Sequence, residues 1–520
     1  MQAPGSRRPT AAGVVHLAAE YWPLARTGGL GEAIAGLAAA QARDVATTVV
    51  LPLYRAIRRA GVELTPLGPE LALRIGPREE TGRLWEVVGD SGGPRVVLVE
   101  HEGFFDRPGI YGDGNGDGDY GDNPRRFAFL TLAALRALPV LAPHPLVLHA
   151  HDWHTALAPV FLRTALSTDP RYAAIATVLT VHNAGFQGHF PFESLRDVGL
   201  PSDLYDWRRL EWYGRVNWLK GGLAFTDMAT TVSPTHAHEL RTETGGFGLH
   251  DSFAGLGDRF VGVLNGIADG LWDPARSGNL EVAYSVHDLS GKARSKAALQ
   301  RAYGLPTRPD VPVVAMSARL VAQKGFDLVL ASQLIRTTEA QFVFLGTGEA
   351  RYQHALADLA RAAPRRIATD FEYSDRREHR LLAGADILLM PSLYEPCGLT
   401  QMRAQRYGAL PVARRVGGLA DTITDEETGF LFDAYTPDAL DSALARALAL
   451  YGRHDAWHAH VRLAMTHDFS WTCSAERYRE VYGRGLAERV RHARRRAAAR
   501  LAPVRSRRPR ATRRPAPSAL

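Results

Sequence analysis

Val313-Val314-Ala315-Met316-Ser317-Ala318-Arg319-Leu320-Val321-Ala322-Gln323-Lys324-Gly325-Phe326-Asp327 opens with four apolar residues and passes at once into a loop carrying two cations. A short, uninterrupted apolar run bounded by polar and glycine residues is the pattern of a strand buried on both faces. The same pattern recurs at Phe342-Val343-Phe344-Leu345, Ile387-Leu388-Leu389-Met390 and Leu410-Pro411-Val412-Ala413. It also recurs in the first half, at Val14-Val15-His16-Leu17, Thr48-Val49-Val50-Leu51, Val96-Val97-Leu98-Val99, Val147-Leu148-His149 and Thr177-Val178-Leu179-Thr180. Helix-like stretches separate these runs, and the alternation predicts α/β architecture: two doubly wound, Rossmann-like domains built on parallel sheets. The pattern lapses near residues 275–310, where Asp273-Pro274, Gly304 and Pro306-Thr307-Arg308-Pro309 interrupt it. Expected boundaries are 1–285 for the first domain and 300–468 for the second. Ligands of such sheets bind beyond the carboxyl ends of the strands, so a cleft between the two domains is the expected site.

Composition narrows the function classes. The chain has 520 residues, 46% of them hydrophobic, enough for two large cores. It has no run of 18 apolar residues and no apolar segment behind the basic residues of Met1 to Pro9, so neither a membrane span nor export is expected. The two cysteines, Cys397 and Cys473, offer neither a disulfide framework nor a zinc-ligand spacing, and a reducing cytoplasm is the expected setting. A net charge of +7 hints at nucleic acid until it is located. From Arg484 onward stand thirteen arginines and one acid, Glu488, a net of +12 that leaves −5 on the first 483 residues. No specific nucleic-acid partner is expected, and 491–520 is read as an Arg-rich, disordered tail.

The loops at the expected strand ends hold the candidate chemistry. Glu20 to Glu32 includes Arg26, Gly28 and Gly29, where a Gly-Gly turn opening a helix lets backbone N–H groups approach a phosphate or sugar, with Arg26 beside it. A plain strand-to-helix turn explains the glycines about as well. His149-Ala150-His151-Asp152-Trp153-His154 and Thr180-Val181-His182-Asn183-Ala184-Gly185-Phe186-Gln187 both end strands and so point toward the cleft. Together with Tyr120 they offer rings for the C–H face of a sugar, and amides and carboxylates for its hydroxyls. Arg319 and Lys324 can converge on one diphosphate and neutralise charge on a departing group. In Glu395-Pro396-Cys397-Gly398-Leu399-Thr400-Gln401, Glu395 can accept from sugar hydroxyls, while N–H groups at Gly398, Leu399 and Thr400 stand at a helix start. No Asp-x-Asp pair stands at a strand end, so no metal is expected.

Taken in order, Thr27-Gly28-Gly29-Leu30, Tyr120-Gly121-Asp122-Asn123, His149 to His154, Thr231-Val232-Ser233-Pro234-Thr235, Val263-Leu264-Asn265-Gly266, Arg319 to Gly325, Glu395 to Gln401, Gly417 to Thr422 and Phe469-Ser470-Trp471 resemble the bacterial glycogen synthase and plant starch synthase family over residues 13–483. The Glu395 to Gln401 string is highly specific to it. The resemblance implies a GT-B fold and transfer of glucose, with retention, from ADP-glucose to glycogen or a maltooligosaccharide, without cofactor or metal. It puts Arg319 and Lys324 on the donor diphosphate and Glu395 against the glucose. Asp152, His182 and Asn265 would line the reaction centre, with Gly28, Gly29 and Cys397 near the donor and Tyr120, Asn183 and Gln187 toward the acceptor. It further implies that residues 469–490 cross back as a helix onto the first domain. Three positions depart from the family pattern: Arg26 for Lys, Ala268 for Asp, and His236 for Tyr. No carboxylate is placed as a covalent nucleophile, which favours front-face displacement. The competing expectations are another retaining transferase with a different acceptor, and an inactive glucan-binding scaffold.

Overall fold

The computed structural model describes residues 10–89, 92–113 and 118–501. Two large sheets form where the apolar runs fall, and a small antiparallel one joins His189–Phe190, Glu211–Trp212 and Arg215–Asn217. The first runs Phe260–Gly262, Met228–Thr231, Ala176–Val181, Leu146–His151, Gly13–Leu17, Ala46–Pro52, Arg95–Glu100, Arg78–Val87, Leu64–Pro66, with Leu71–Ile75 also pairing Arg78–Val87. Its central strands are parallel, and Gly13–Leu17, Leu146–His151 and Ala176–Val181 are buried along their whole length. The continuous apolar runs are needed because helices cover both faces. At the far edge the chain turns antiparallel, and Leu71–Ile75 and Arg78–Val87 mix polar and apolar positions with one face toward water.

The second sheet is six-stranded and parallel, in the order Ile367–Asp370, Gln341–Leu345, Val313–Ser317, Ile387–Met390, Leu410–Arg414, Phe430–Phe432. Chain direction across the sheet reverses between Val313–Ser317 and Ile387–Met390, so the loops leaving these two strands diverge and open a crevice. In the first sheet the corresponding place lies between Gly13–Leu17 and Leu146–His151.

After the second sheet, the chain returns to the first. Ile267 N–H donates to Phe469 O at 2.8 Å, and the helix Trp471–Leu501 lays Trp471, Tyr478, Val481, Tyr482 and Leu486 against Val14, Val147, Val178 and Met228. Gly36 makes room for this: a Cβ there would fall 1.9 Å from the Trp471 indole nitrogen. The boundary expected at residue 490 lies inside this helix. Alanine and arginine are good helix formers, so the Arg-Ala sequence propagates the helix to Leu501 instead of ending it. Residues 502–520 of the expected tail lie outside the described residues. Among the described residues no helix is long and apolar enough to cross a membrane.

Candidate active site

In the second domain, the crevice gathers residues that are 71 apart in sequence. The Lys324 ammonium lies 2.5 Å from Glu395 Oε2, which also accepts from the Ser392 hydroxyl at 3.1 Å. Gly325 makes this approach possible. Its φ of +77° favours glycine, and a Cβ would stand 2.0 Å from the carbonyl oxygen of Pro391. Gly417 does the same for the other side of Glu395, with a φ of +43° and its missing Cβ 2.0 Å from the Glu395 carbonyl oxygen. Glu395 is buried, whereas Arg319 is exposed and its guanidinium has no ion pair or hydrogen bond among the described residues. One free guanidinium and one ammonium held on a carboxylate thus share the mouth of the crevice.

Across the cleft, Asp152 follows the Leu146–His151 strand with a φ of +56°, an uncommon conformation for a non-glycine residue. Its Oδ1 accepts the His182 N–H at 2.7 Å and the Asn183 N–H at 3.5 Å. Burial pushes this carboxyl up to about 7, against the pull of those two N–H bonds. Asn183 hydrogen-bonds the Tyr394 hydroxyl from the opposite domain, and Phe247 meets the Tyr394 ring edge-on at 5.0 Å. Gly29 faces Leu399, whose Cδ1 lies 3.6 Å from where a Cβ would be. The Gly28-Gly29 loop therefore stands opposite Gly398-Leu399-Thr400. Glu20 secures that loop by accepting from Thr27 N–H at 2.7 Å, Thr27 Oγ1 at 2.8 Å and Gly28 N–H at 3.3 Å, while the Tyr111 hydroxyl donates to it at 2.6 Å.

The domains are also clamped to the side of these residues. Asp421 accepts from Ser233 Oγ, Thr235 N–H and Thr235 Oγ1 at 2.6–3.0 Å, and Glu239 accepts the Gly417 N–H at 2.9 Å. His236, the family's tyrosine position, is buried with Nδ1 3.0 Å from Glu239 Oε2. It therefore braces the residue that holds Gly417.

Three expected contacts take a different form. Arg26 donates to Glu32 at 2.9 Å and with two bonds, 2.7 and 2.8 Å, to Asp375 of the other domain. Two carboxylates already neutralise it and would repel a phosphate, so it is an interdomain strut. The Tyr120 ring lies 4.8 Å from the guanidinium carbons of both Arg107 and Arg126, and its hydroxyl accepts from Gly109, which engages it inside the first domain instead of against a sugar. Gln187 is 4% exposed. It donates to the carbonyls of Ala184 and Phe247 and accepts from Asn217, so its amide is spent on pinning the 184–189 loop. Of the aromatic residues expected near a sugar, Trp153 is buried, and Phe186, 57% exposed, is the accessible one. Sequence reading passed over Glu20, Ser392 and Tyr394 as participants. Glu20 and Ser392 stand one to three positions past a strand end, a signal shared by the residues that were singled out.

Cys397 is buried beside the site, and the Asn265 backbone N–H donates to its sulfur. Burial pushes the thiol up to about 12, so it stays protonated and is no nucleophile at neutral pH. Cys397→Ser is expected to hold turnover within about fivefold of wild type, because a hydroxyl can still accept that N–H and one neutral hydrogen bond carries about 1 kcal/mol. Steady-state kinetics of the variant check this. Arg26→Ala is expected to raise the donor KM by no more than about fivefold, since a half-exposed ion pair is worth about 1 kcal/mol at most. Arg26→Lys, unable to span Glu32 and Asp375 together, should fall between the two. Donor titrations of both variants measure it, and a hundredfold loss for Arg26→Ala would instead mean direct contact with the donor.

Two doubly wound domains that present cations and a carboxylate on one side of a cleft, and histidine and aspartate on the other, define a two-domain glycosyltransferase. Residues 13–254 match the family described as the starch synthase catalytic domain, and residues 304–462 match glycosyl transferases group 1. Similar chains include a glycogen synthase of Syntrophotalea carbinolica, 42% identical over 90% of this chain and 98% of that one. Another, from Anaeromyxobacter dehalogenans, is 43% identical with the same coverages. Among solved structures, the catalytic domain of starch synthase IV from Arabidopsis thaliana bound to ADP and acarbose is 32% identical. It covers 92% of this chain and 100% of its own, with a TM-score of 0.84. The chain belongs to the glycogen synthase and starch synthase family, and it has the GT-B fold.

Proposed function

We propose that this enzyme transfers glucose from ADP-glucose to the non-reducing end of glycogen or a maltooligosaccharide, with retention of the α configuration. The observation that carries this reading is the Lys324–Glu395 ion pair at the crevice of the second sheet, with Arg319 on the same loop leaving Val313–Ser317, opposite Asp152 and His182. In this reading the second domain holds the donor and the first receives the acceptor, with Asn183 and Phe186 on the acceptor side. Arg319 and Lys324 bind the diphosphate, the ammonium shifting from Glu395 toward the incoming anion. Glu395 then accepts from hydroxyls of the glucose. Asn265, Cys397 and the Gly28-Gly29 and Gly398 to Thr400 loops close round the donor.

As the bond from C1 to the diphosphate oxygen breaks, the acceptor hydroxyl bonds to C1 on the same face, and its proton passes to the departing phosphate oxygen. Front-face displacement is favoured because the carboxylates at hand are engaged: Asp152 Oδ1 by two backbone N–H groups, Glu395 by Lys324 and Ser392. The cations supply the charge stabilisation that the leaving group needs. We place the enzyme in the cytoplasm, in keeping with two free cysteines, one of them exposed.

Incubating the protein with glycogen and each labelled nucleotide sugar in turn tests the assignment. ADP release and a longer α-1,4 chain are expected with ADP-glucose. Tenfold faster transfer from UDP-glucose would overturn the donor, and no release from either would overturn the reaction.

A further inference from the structure

Beneath His182, a chain of buried side chains runs from the cleft to the C-terminal helix. His182 Nε2 lies 3.0 Å from His151 Nδ1, His151 Nε2 lies 3.0 Å from His16 Nδ1, and His16 Nε2 lies 2.8 Å from Gln41 Oε1. Gln41 Nε2 donates to the Tyr482 hydroxyl at 2.9 Å, and Tyr482 Oη stands 2.8 Å from His149 Nδ1. His149 Nε2 then meets Thr180 Oγ1 at 2.6 Å. His16, His149 and His151 are wholly shut off from solvent, and Gln41 is 4% exposed.

The direction of each bond from Gln41 through His16 and His151 to His182 follows from one atom. An amide oxygen only accepts, so His16 Nε2 carries the hydrogen that Gln41 Oε1 receives. A neutral imidazole has one ring hydrogen, so His16 Nδ1 must accept from His151 Nε2–H, and His151 Nδ1 from His182 Nε2–H. Burial pushes His16 down to about 4 and His149 and His151 well below the usual histidine range, in keeping with one hydrogen per ring. His182 is left with its hydrogen on Nε2 and a bare Nδ1, which has no protein partner among the described residues and is not among the sealed polar atoms. Turning the Gln41 amide round would reverse each bond and make Nδ1 a donor. In the structure Gln41 turns Oε1 to His16 and Nε2 to the Tyr482 hydroxyl, which in this orientation donates its own hydrogen to His149 Nδ1.

We propose that Gln41, His16 and His151 are positioning residues that fix His182 as the Nε2–H tautomer and so present Nδ1 as a hydrogen-bond acceptor to a sugar hydroxyl in the cleft. The part that names a sugar rests on the transferase reading above. His16, His149 and His151 also lie close enough to share a metal ion, but their nitrogens already serve one another, Gln41, Tyr482 and Thr180, and a metal would have to break those bonds.

The tautomer can be read directly by two-bond nitrogen–hydrogen NMR on full-length protein with 15N-histidine, the His182 signals being assigned by their loss in His182→Gln. In wild type, Nδ1 should resonate as a bare, imine-type nitrogen and Nε2 as a protonated one. Gln41→Leu should draw the two shifts together and lower kcat about tenfold, the scale of one misdirected hydrogen bond at a reaction centre, with little change in donor KM. A packing role alone would cost Gln41→Leu thermal stability without moving these shifts. A wild-type His182 protonated on Nδ1, or unchanged shifts in Gln41→Leu, would overturn the proposal. Since the shifts are read without turnover, an inactive wild type with the Nε2–H form would count against the transferase reading and for the relay.

Discussion

Lys324→Ala lowers turnover by a factor of about 10² to 10³ at saturating donor, the usual cost of one preorganised contact to developing charge. Two losses combine in this variant. The departing diphosphate loses a cation, and Glu395, 5% exposed, keeps only the Ser392 hydroxyl as a partner, so its negative charge faces the incoming phosphates. Removing that charge as well, in Lys324→Ala with Glu395→Gln, should recover part of the donor affinity but not the rate. Arg319→Ala should cost a similar factor in rate without the electrostatic side effect, because its guanidinium has no carboxylate to abandon. Glu395→Ala is expected to be comparably damaging. Rapid-quench and steady-state measurements on the four variants, with melting curves to confirm folding, separate these effects. Near wild-type turnover in Glu395→Ala would remove that residue from the site.

Arg403→Ala is expected to lower the unfolding free energy by about 3–5 kcal/mol, the scale for leaving a buried charge without its partner. The Arg403 guanidinium lies 4.0 Å from the Trp272 ring centroid. It pairs with Glu378 at 3.3 Å and, closely, with Glu32 of the first domain. The side chains of Arg403 and Glu378 are only 6% and 2% exposed, so little water is available to replace either one. Arg403→Lys should restore part of the loss, since an ammonium keeps the charge but cannot fork between two carboxylates and stack on an indole. Urea unfolding followed by tryptophan fluorescence checks the difference, and an unchanged midpoint in Arg403→Ala would show that the cluster carries no net stability.

Most of the frame was legible in the sequence because parallel strands buried on both faces announce themselves as unbroken apolar runs. Val313–Ser317 and Ile387–Met390 were read correctly for that reason, and once they are placed, the loops leaving them pair Lys324 with Glu395 at the crevice that Arg319 also borders. The edge strands Leu64–Pro66, Leu71–Ile75 and Arg78–Val87 were missed, since their half-exposed faces mix polar residues into the run. Side-chain partnership was harder to see. Arg26 and Asp375 stand 349 residues apart, and Gln187 meets Asn217 only after the three-stranded antiparallel sheet at 189–217 has formed. A residue type compatible with sugar or phosphate does not reveal whether another side chain has already claimed it. His16 and His151 illustrate the converse: His16 looked like one more buried strand residue and His151 like a cleft-facing one, whereas neighbouring strands align both rings in a buried row behind His182.

The helix that begins at Trp471 sets an order of assembly. Val14, Val147, Val178 and Met228 belong to the first sheet, yet the side chains that cover them, Trp471, Tyr478 and Tyr482, are synthesised only after the entire second sheet. Domains usually fold in the order in which they leave the ribosome. Here the domain made first waits with one flank open and its histidine relay lacking Tyr482, while the domain made second can bury its own core without delay. A nascent chain halted before Trp471 would therefore expose an apolar strip on its N-terminal half, a surface suited to chaperone capture until the final helix arrives.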